Sequence, residues 1–125
     1  MANPLTLPCG AVLKNRLAKS AMSENMALRN FEPNQKFERV YKRWSSGGVG
    51  LIITGNVMID ARYLGEPRNV AIGPSFAGMS ALKKWAQAGT QNQTHLWMQI
   101  NHPGKQSPNI LSREPVAPSA IAFEA

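Results

Sequence analysis

Apolar positions follow two rhythms along this chain. In residues 49–59, VGLIITGNVMI, they run almost unbroken and rich in β-branched side chains, the pattern of a strand buried on both faces of a helix-covered parallel sheet. In residues 34–46 they recur at Phe37, Val40, Tyr41 and Trp44, spaced i, i+3, i+4 and i+7. That spacing predicts a helix with one apolar stripe, its other faces carrying Lys36, Glu38, Arg39, Lys42 and Arg43, stopped by Gly47-Gly48. A second helix is predicted from Pro74-Ser75 to Ala88, with Met79, Leu82, Trp85 and Ala86 buried, Lys83-Lys84 in water and Gly89 as its stop. Residues 94–101 predict a third strand.

The connecting segments are polar or rich in turn residues. Residues 4–19 read as a hairpin turning near Pro8 to Gly10 and leading into a strand that ends around residues 18–22. Residues 24–35 and 60–73 read as loops. Pro103, Pro108, Pro115 and Pro118 leave the tail without regular structure. The order strand, helix, strand, helix, strand implies right-handed βαβ units and a parallel sheet.

Three parallel strands alone leave a bare edge and an uncovered face. A complete (β/α)8 barrel takes about 250 residues, and this chain has 125. The pattern therefore reads as the opening portion of a larger parallel α/β fold, preceded by an N-terminal β-hairpin. On that reading residues 1–125 form the N-terminal part of a single domain whose remainder is absent.

Composition narrows the setting. Hydrophobic residues at 43% and charged residues at 17% fit a globular protein rather than a disordered one. No apolar run approaches the roughly 20 residues of a membrane helix. The start MANPLTLPCG lacks a basic head followed by an apolar core, so no secretory signal is read there. The single cysteine, Cys9, excludes an internal disulfide and is expected to be packed in the hairpin; a cytoplasmic location follows as the expectation. The net charge of +7 raises the question of nucleic acid, but the basic residues are scattered and no nucleic-acid motif accompanies them.

In parallel α/β architectures ligands gather beyond the carboxyl ends of the strands. Three segments occupy that position: Ser20-Ala21-Met22-Ser23, Thr54-Gly55-Asn56 and Gln99-Ile100-Asn101-His102. Each brings hydroxyls, amides or accessible backbone N–H groups to the end of an apolar run, which suits a flat polar heterocycle. None supplies paired carboxylates, a nucleophile elbow or a thiolate. Metal binding by His95 and His102 lacks a carboxylate or thiol at matching spacing.

Five blocks in succession, KNRLAKSAMSE, GGVGLIITGNVMID, LGEPRN, HLWMQINHPGKQSP and EPVAPSAIAF, resemble the old yellow enzyme family of FMN-dependent NADH:flavin oxidoreductases and ene-reductases. The resemblance implies that this chain is the first three βα units of a (β/α)8 TIM barrel, preceded by the N-terminal β-hairpin, with FMN at the carboxyl ends of the strands. It also implies an enzyme that passes hydride from NAD(P)H to FMN and from flavin N5 to an electron-poor alkene. It implies that Ser20, Ala21, Met22 and Ser23 run along the isoalloxazine, with Ser23 tuning the flavin's redox potential through its hydroxyl. It implies that Asn56 brings its backbone near the flavin, with Gly55 permitting close approach. Gln99 corresponds to the glutamine that reads the pyrimidine side. His102 ends the third strand at the site rim, where it either meets substrate or, in its His-Pro-Gly turn, serves as plain strand termination. Ala21 stands where the family commonly has proline, and Lys105 where it often has arginine, so the bidentate fork is lost there.

The family's substrate-binding His/Asn pair, its tyrosine proton donor and its phosphate site all follow the third strand. No catalytic residue is therefore expected in this segment. Two other readings compete: a non-catalytic half-barrel fragment that pairs with itself as a homo-oligomer, and a small basic nucleic-acid-binding domain supported only by charge.

Overall fold

The computed structural model describes residues 1–121. The last two residues of the block EPVAPSAIAF, 122 and 123, lie outside them. Two short strands, β1 (Leu5–Thr6) and β2 (Val12–Leu13), form the expected antiparallel hairpin. The strand β3 (Ala18–Lys19) then leads through an irregular segment to helix α1 (Gln35–Ser46). Next come β4 (Leu51–Met58), β5 (Val70–Ala71), helix α2 (Met79–Gly89) and β6 (His95–Asn101). All pairings among β3, β4, β5 and β6 are parallel.

β4 is the centre of the sheet, as its unbroken apolar run requires: six of its eight residues are buried. β6 runs along one side of it from Leu51↔His95 to Met58↔Asn101, while β3 and β5 pair with its beginning and its end. β5 lies inside the segment read as a loop. Two residues are too short to show a period, and only pairing with Val57 and Met58 makes Val70 and Ala71 a strand.

Helix α1 begins where Asn34 caps it, its Oδ1 accepting from the Lys36 N–H at 2.9 Å; such a cap contributes about 1 kcal/mol. The Asn34 Nδ2 also donates to Met26 O at 2.6 Å, tying the preceding loop to the cap. Phe37 and Tyr41 are buried and pack with Trp85 of α2, at ring-centroid separations of 4.9 and 5.2 Å. Ser45 joins this face because its hydroxyl donates to Ala88 O at 2.9 Å, linking the two helices.

Helix α2 starts at Met79 rather than at residues 74–75, and its buried face is Trp85, Ala88 and Gly89 with Leu82 half-buried. Met79 and Ala86, expected inside, are exposed. The face is rotated because Gly89 meets β6: a Cβ there would lie 2.6 Å from Leu96 Cδ2. Cys9 is exposed in the hairpin turn, not packed. The hairpin instead spends its contacts at the amino ends of the strands, where Lys14 Nζ donates to Asn92 O at 2.6 Å and to Thr94 Oγ1 at 3.1 Å.

β6 departs most from its apolar composition. Trp97, Met98 and Ile100 are 43%, 42% and 68% exposed, because no described strand pairs with its outer edge and nothing described covers its second face. Among the described residues no helix is long and apolar enough to cross a membrane.

Candidate functional site

The carboxyl ends of β3, β4 and β6 come together through side chains. Asn101 Nδ2 donates to Asn56 Oδ1 at 3.1 Å, and Asn56 Nδ2 donates to Ser23 Oγ at 3.3 Å. This row crosses from the last residue of β6 to the segment that follows β3. Gln99 stands opposite Asn56 in the strand register and is half-buried. No hydrogen bond to its carboxamide is found among the described residues; its backbone N–H donates to Thr54 Oγ1 at 2.9 Å.

The register shows why that hydroxyl is needed. Ile53 pairs with Trp97 and Asn56 with Gln99, so Thr54 and Gly55 together oppose Met98 alone. An extra residue of this kind bends a strand and takes backbone groups out of the ladder. The buried Thr54 hydroxyl receives the Gln99 N–H while donating to Gly55 O at 2.8 Å. The Gly55 N–H donates to Glu24 Oε1 at 3.1 Å, and Tyr41 OH donates to the same oxygen in a short hydrogen bond.

Gly55 is required by the protein's own backbone. A Cβ there would lie 2.3 Å from Met22 O, 2.5 Å from Glu24 Oε2 and 2.8 Å from Ser23 Cα. The close approach expected at Gly55 is therefore made by residues 22–24.

Electrostatics fall on the helix side of this layer. Burial, and then the hydrogen bond to Glu24 and its charge, push the Tyr41 phenol above its ordinary range, so it stays a neutral donor. Lys19 is half-buried, with Nζ 4.3 Å from the Trp44 ring centroid and donating to Ser20 O at 2.8 Å and Ile53 O at 3.2 Å. Desolvation lowers its pKa, and the nearby Glu24 carboxylate opposes that shift.

Of the residues singled out in the sequence, Ser23 and Asn56 are joined directly and Gln99 lies beside them. Ala21 is half-buried, and Met22 is 56% exposed. The Ser20 side chain is exposed and takes no part in the row. His102 is turned away: its Nδ1 accepts from the Gly104 N–H at 3.1 Å, and its ring lies 5.3 Å from that of Tyr63. It lines a separate cleft of about 910 Å³ with Phe31, Ile59, Arg62, Tyr63 and Phe76. At that rim Arg62 holds the Asp60 carboxyl down at about 2, through bonds of 2.6 to 3.1 Å. His95 and His102 sit at opposite ends of β6, and the His95 Nε2 lies 3.1 Å from Val12 O, so they share no ligand site.

Glu24 and Tyr41 were not legible as site residues. Tyr41 reads as one member of an apolar stripe. Glu24 offers only the signal of a lone acid directly after Ser23, in a chain with seven acidic residues.

No family model matches the chain. It is 38% identical over 129 residues to the NADH-dependent flavin oxidoreductase iliE of Neonectria sp., with 97% of this chain and 17% of the relative covered. It is 39% identical over 129 residues to iliE of Hypocrea jecorina, covering 96% of this chain and 32% of that protein. The fold superposes on the old yellow enzyme homologue of Zymomonas mobilis with a TM-score of 0.82 and 28% identity, over 96% of this chain and 33% of that one. Morphinone reductase shares the fold at a TM-score of 0.83 and 23% identity, with 97% and 32% covered. The chain thus spans between a sixth and a third of the length of these relatives. Over nearly all of its length it shares sequence and fold with part of the flavin oxidoreductases of the old yellow enzyme type, and its parallel sheet is part of their barrel.

Proposed function

We propose that this chain supplies the ring-contacting portion of an FMN site in an NADH-dependent oxidoreductase of the old yellow enzyme type. The observation that carries this reading is the row Ser23, Asn56 and Asn101 with Gln99 alongside, drawn across the carboxyl ends of three parallel strands. The donor chemistry fits an isoalloxazine edge. Ser23 Oγ accepts from Asn56, which leaves the hydroxyl hydrogen to donate elsewhere. Asn56 keeps a second N–H, and Gln99 keeps its whole carboxamide. None of these groups is charged, as reading a neutral heterocycle requires.

FMN, when bound, would supply hydride acceptance and donation between the nicotinamide and an electron-poor alkene. The residues of this chain would orient it: Ser23 and Gln99 by hydrogen bonds, with Ala21 and Met22 along the ring and Asn56 holding Ser23 in place. Phosphate recognition in such barrels lies around the seventh and eighth strands, so this segment would read the ring and not the phosphate.

Titration of the 125-residue chain with FMN and with lumiflavin, which lacks the phosphate chain, tests the reading by flavin fluorescence. Comparable affinities for the two are expected, both weakened by Gln99→Ala. Absence of lumiflavin binding, or binding untouched by Gln99→Ala, would overturn it.

The exposed Trp97, Met98 and Ile100 on the open edge strand support a second element of the reading, self-association of this segment. Sedimentation velocity is expected to show species heavier than a monomer, shifting to monomer when Trp97→Lys places a charge on that edge.

A further inference from the structure

We infer that Glu24 is the positioning residue of this site: its carboxylate clamps residues 22–23 to the bulged stretch of β4 and thereby sets the Ser23 hydroxyl against Asn56. The inference rests on the flavin-site reading for its functional consequence, but its geometry stands independently.

Neighbouring residues of an extended segment point to opposite sides, and residues 23 and 24 do so here. Ser23 reaches Asn56 on the side of the polar row. Glu24 reaches Tyr41 of α1 on the side of the helices. Glu24 therefore lies behind the row and acts on a ligand only through the position of Ser23.

Two donors converge on one oxygen, Glu24 Oε1: the phenol of the fully buried Tyr41 and the Gly55 N–H. The first ties the clamp to the aromatic core, and the second ties it to the backbone group displaced by the extra residue in β4. The missing side chain at Gly55 lets the backbone of residues 22 and 23 settle directly on the strand. Asn56, the next residue, then meets Ser23 at 3.3 Å. Lys19, close enough to Glu24 for their charges to interact, balances the carboxylate on the helix side.

Because both donors use the same oxygen, a glutamine amide oxygen can accept both, whereas alanine can accept neither. The test compares Glu24→Ala, Glu24→Gln and Tyr41→Phe in the 125-residue chain. One readout is made without flavin: the side-chain amide resonances of Asn56 and the exchange rate of the Gly55 amide. The other is flavin affinity with lumiflavin as the probe. Glu24→Ala is expected to shift the Asn56 resonances, speed Gly55 exchange and weaken lumiflavin roughly tenfold, the loss of about one hydrogen bond from a displaced Ser23 hydroxyl. Glu24→Gln is expected to restore all three to within a few-fold.

Unchanged Asn56 resonances in Glu24→Ala, or failure of Glu24→Gln to rescue, would overturn the inference. Should Glu24→Ala not fold, Tyr41→Phe, which keeps the ring packing, must move the same resonances in the same direction, and unmoved resonances would overturn it. If the unsubstituted chain binds no lumiflavin, the flavin reading fails while the flavin-free measurements still decide the role of Glu24.

Discussion

The carboxamide of Asn101 donates to Oδ1 of Asn56 at 3.1 Å, joining the last residue of β6 to the carboxyl end of the central strand. It is the link that turns three strand ends into one polar row, since Asn56 passes its own N–H on to Ser23. Removing it by Asn101→Ala should cost about 1 kcal/mol, the net worth of a half-buried neutral hydrogen bond. A double-mutant cycle with Asn56→Ala, followed by urea denaturation, should return a coupling of about 0.5–1.5 kcal/mol. Strict additivity would mean that the two amides are neighbours only.

Thr54 is a sharper case because its hydroxyl is buried and receives a backbone donor. Thr54→Val keeps the shape and deletes the acceptor, leaving the Gln99 N–H without its partner. The expected loss is about 1–3 kcal/mol, with faster hydrogen exchange confined to Gln99 and its neighbours. Thr54→Ser should recover most of that loss.

Two glycines should respond differently to the same substitution. Gly55→Ala drives a methyl into the Met22 carbonyl and the Ser23 backbone, neither of which can move without breaking the row; overpacking of this kind costs about 1–3 kcal/mol or more. Gly89→Ala meets only the end of the Leu96 side chain, which can change rotamer, and gains helix propensity of about 1 kcal/mol. Thermal unfolding should show a large drop for the first and a small change for the second. Equal effects would mean that residues 22–24 yield as easily as a leucine side chain.

The Tyr41 phenol carries the pH dependence of this layer. Its pKa is raised in the folded chain, chiefly by burial and then by Glu24. The stability it contributes is therefore fully present below the unfolded tyrosine value, about 10, and is lost as pH rises above it. The chain has two tyrosines, so Tyr63→Phe leaves Tyr41 as the sole phenol. Its absorbance near 295 nm should show no phenolate until the protein unfolds in alkali. A reversible titration near pH 10 in the folded state would contradict the buried hydrogen bond.

Much of this architecture was legible in residue patterns. The stripe through Phe37 and Tyr41 identified α1, the unbroken run of β4 identified a central strand, and the strand ends pointed to the three segments whose Ser23, Asn56 and Gln99 the fold brings side by side. The strand β5 was not legible, because two residues become a strand only through the partner that pairs with them. The buried face of α2 was misread because Gly89, taken as a stop, is where the helix meets β6. Cys9 was expected to be packed in the hairpin, whereas its exposure, like that of Trp97, Met98 and Ile100 in β6, depends on what covers it.

By itself the sequence determined the types and order of the longer elements and the residue chemistry at each strand end, because period, breakers and composition act over a few neighbouring residues. Tertiary structure decided the register that sets Thr54 and Gly55 against Met98, and with it the polar row and the carboxylate behind it. Those relations join residues 23, 24, 41, 55, 56 and 101, which come from four stretches far apart along the chain. Their contacts depend on ångström-scale strand offsets and on space that only a glycine leaves free.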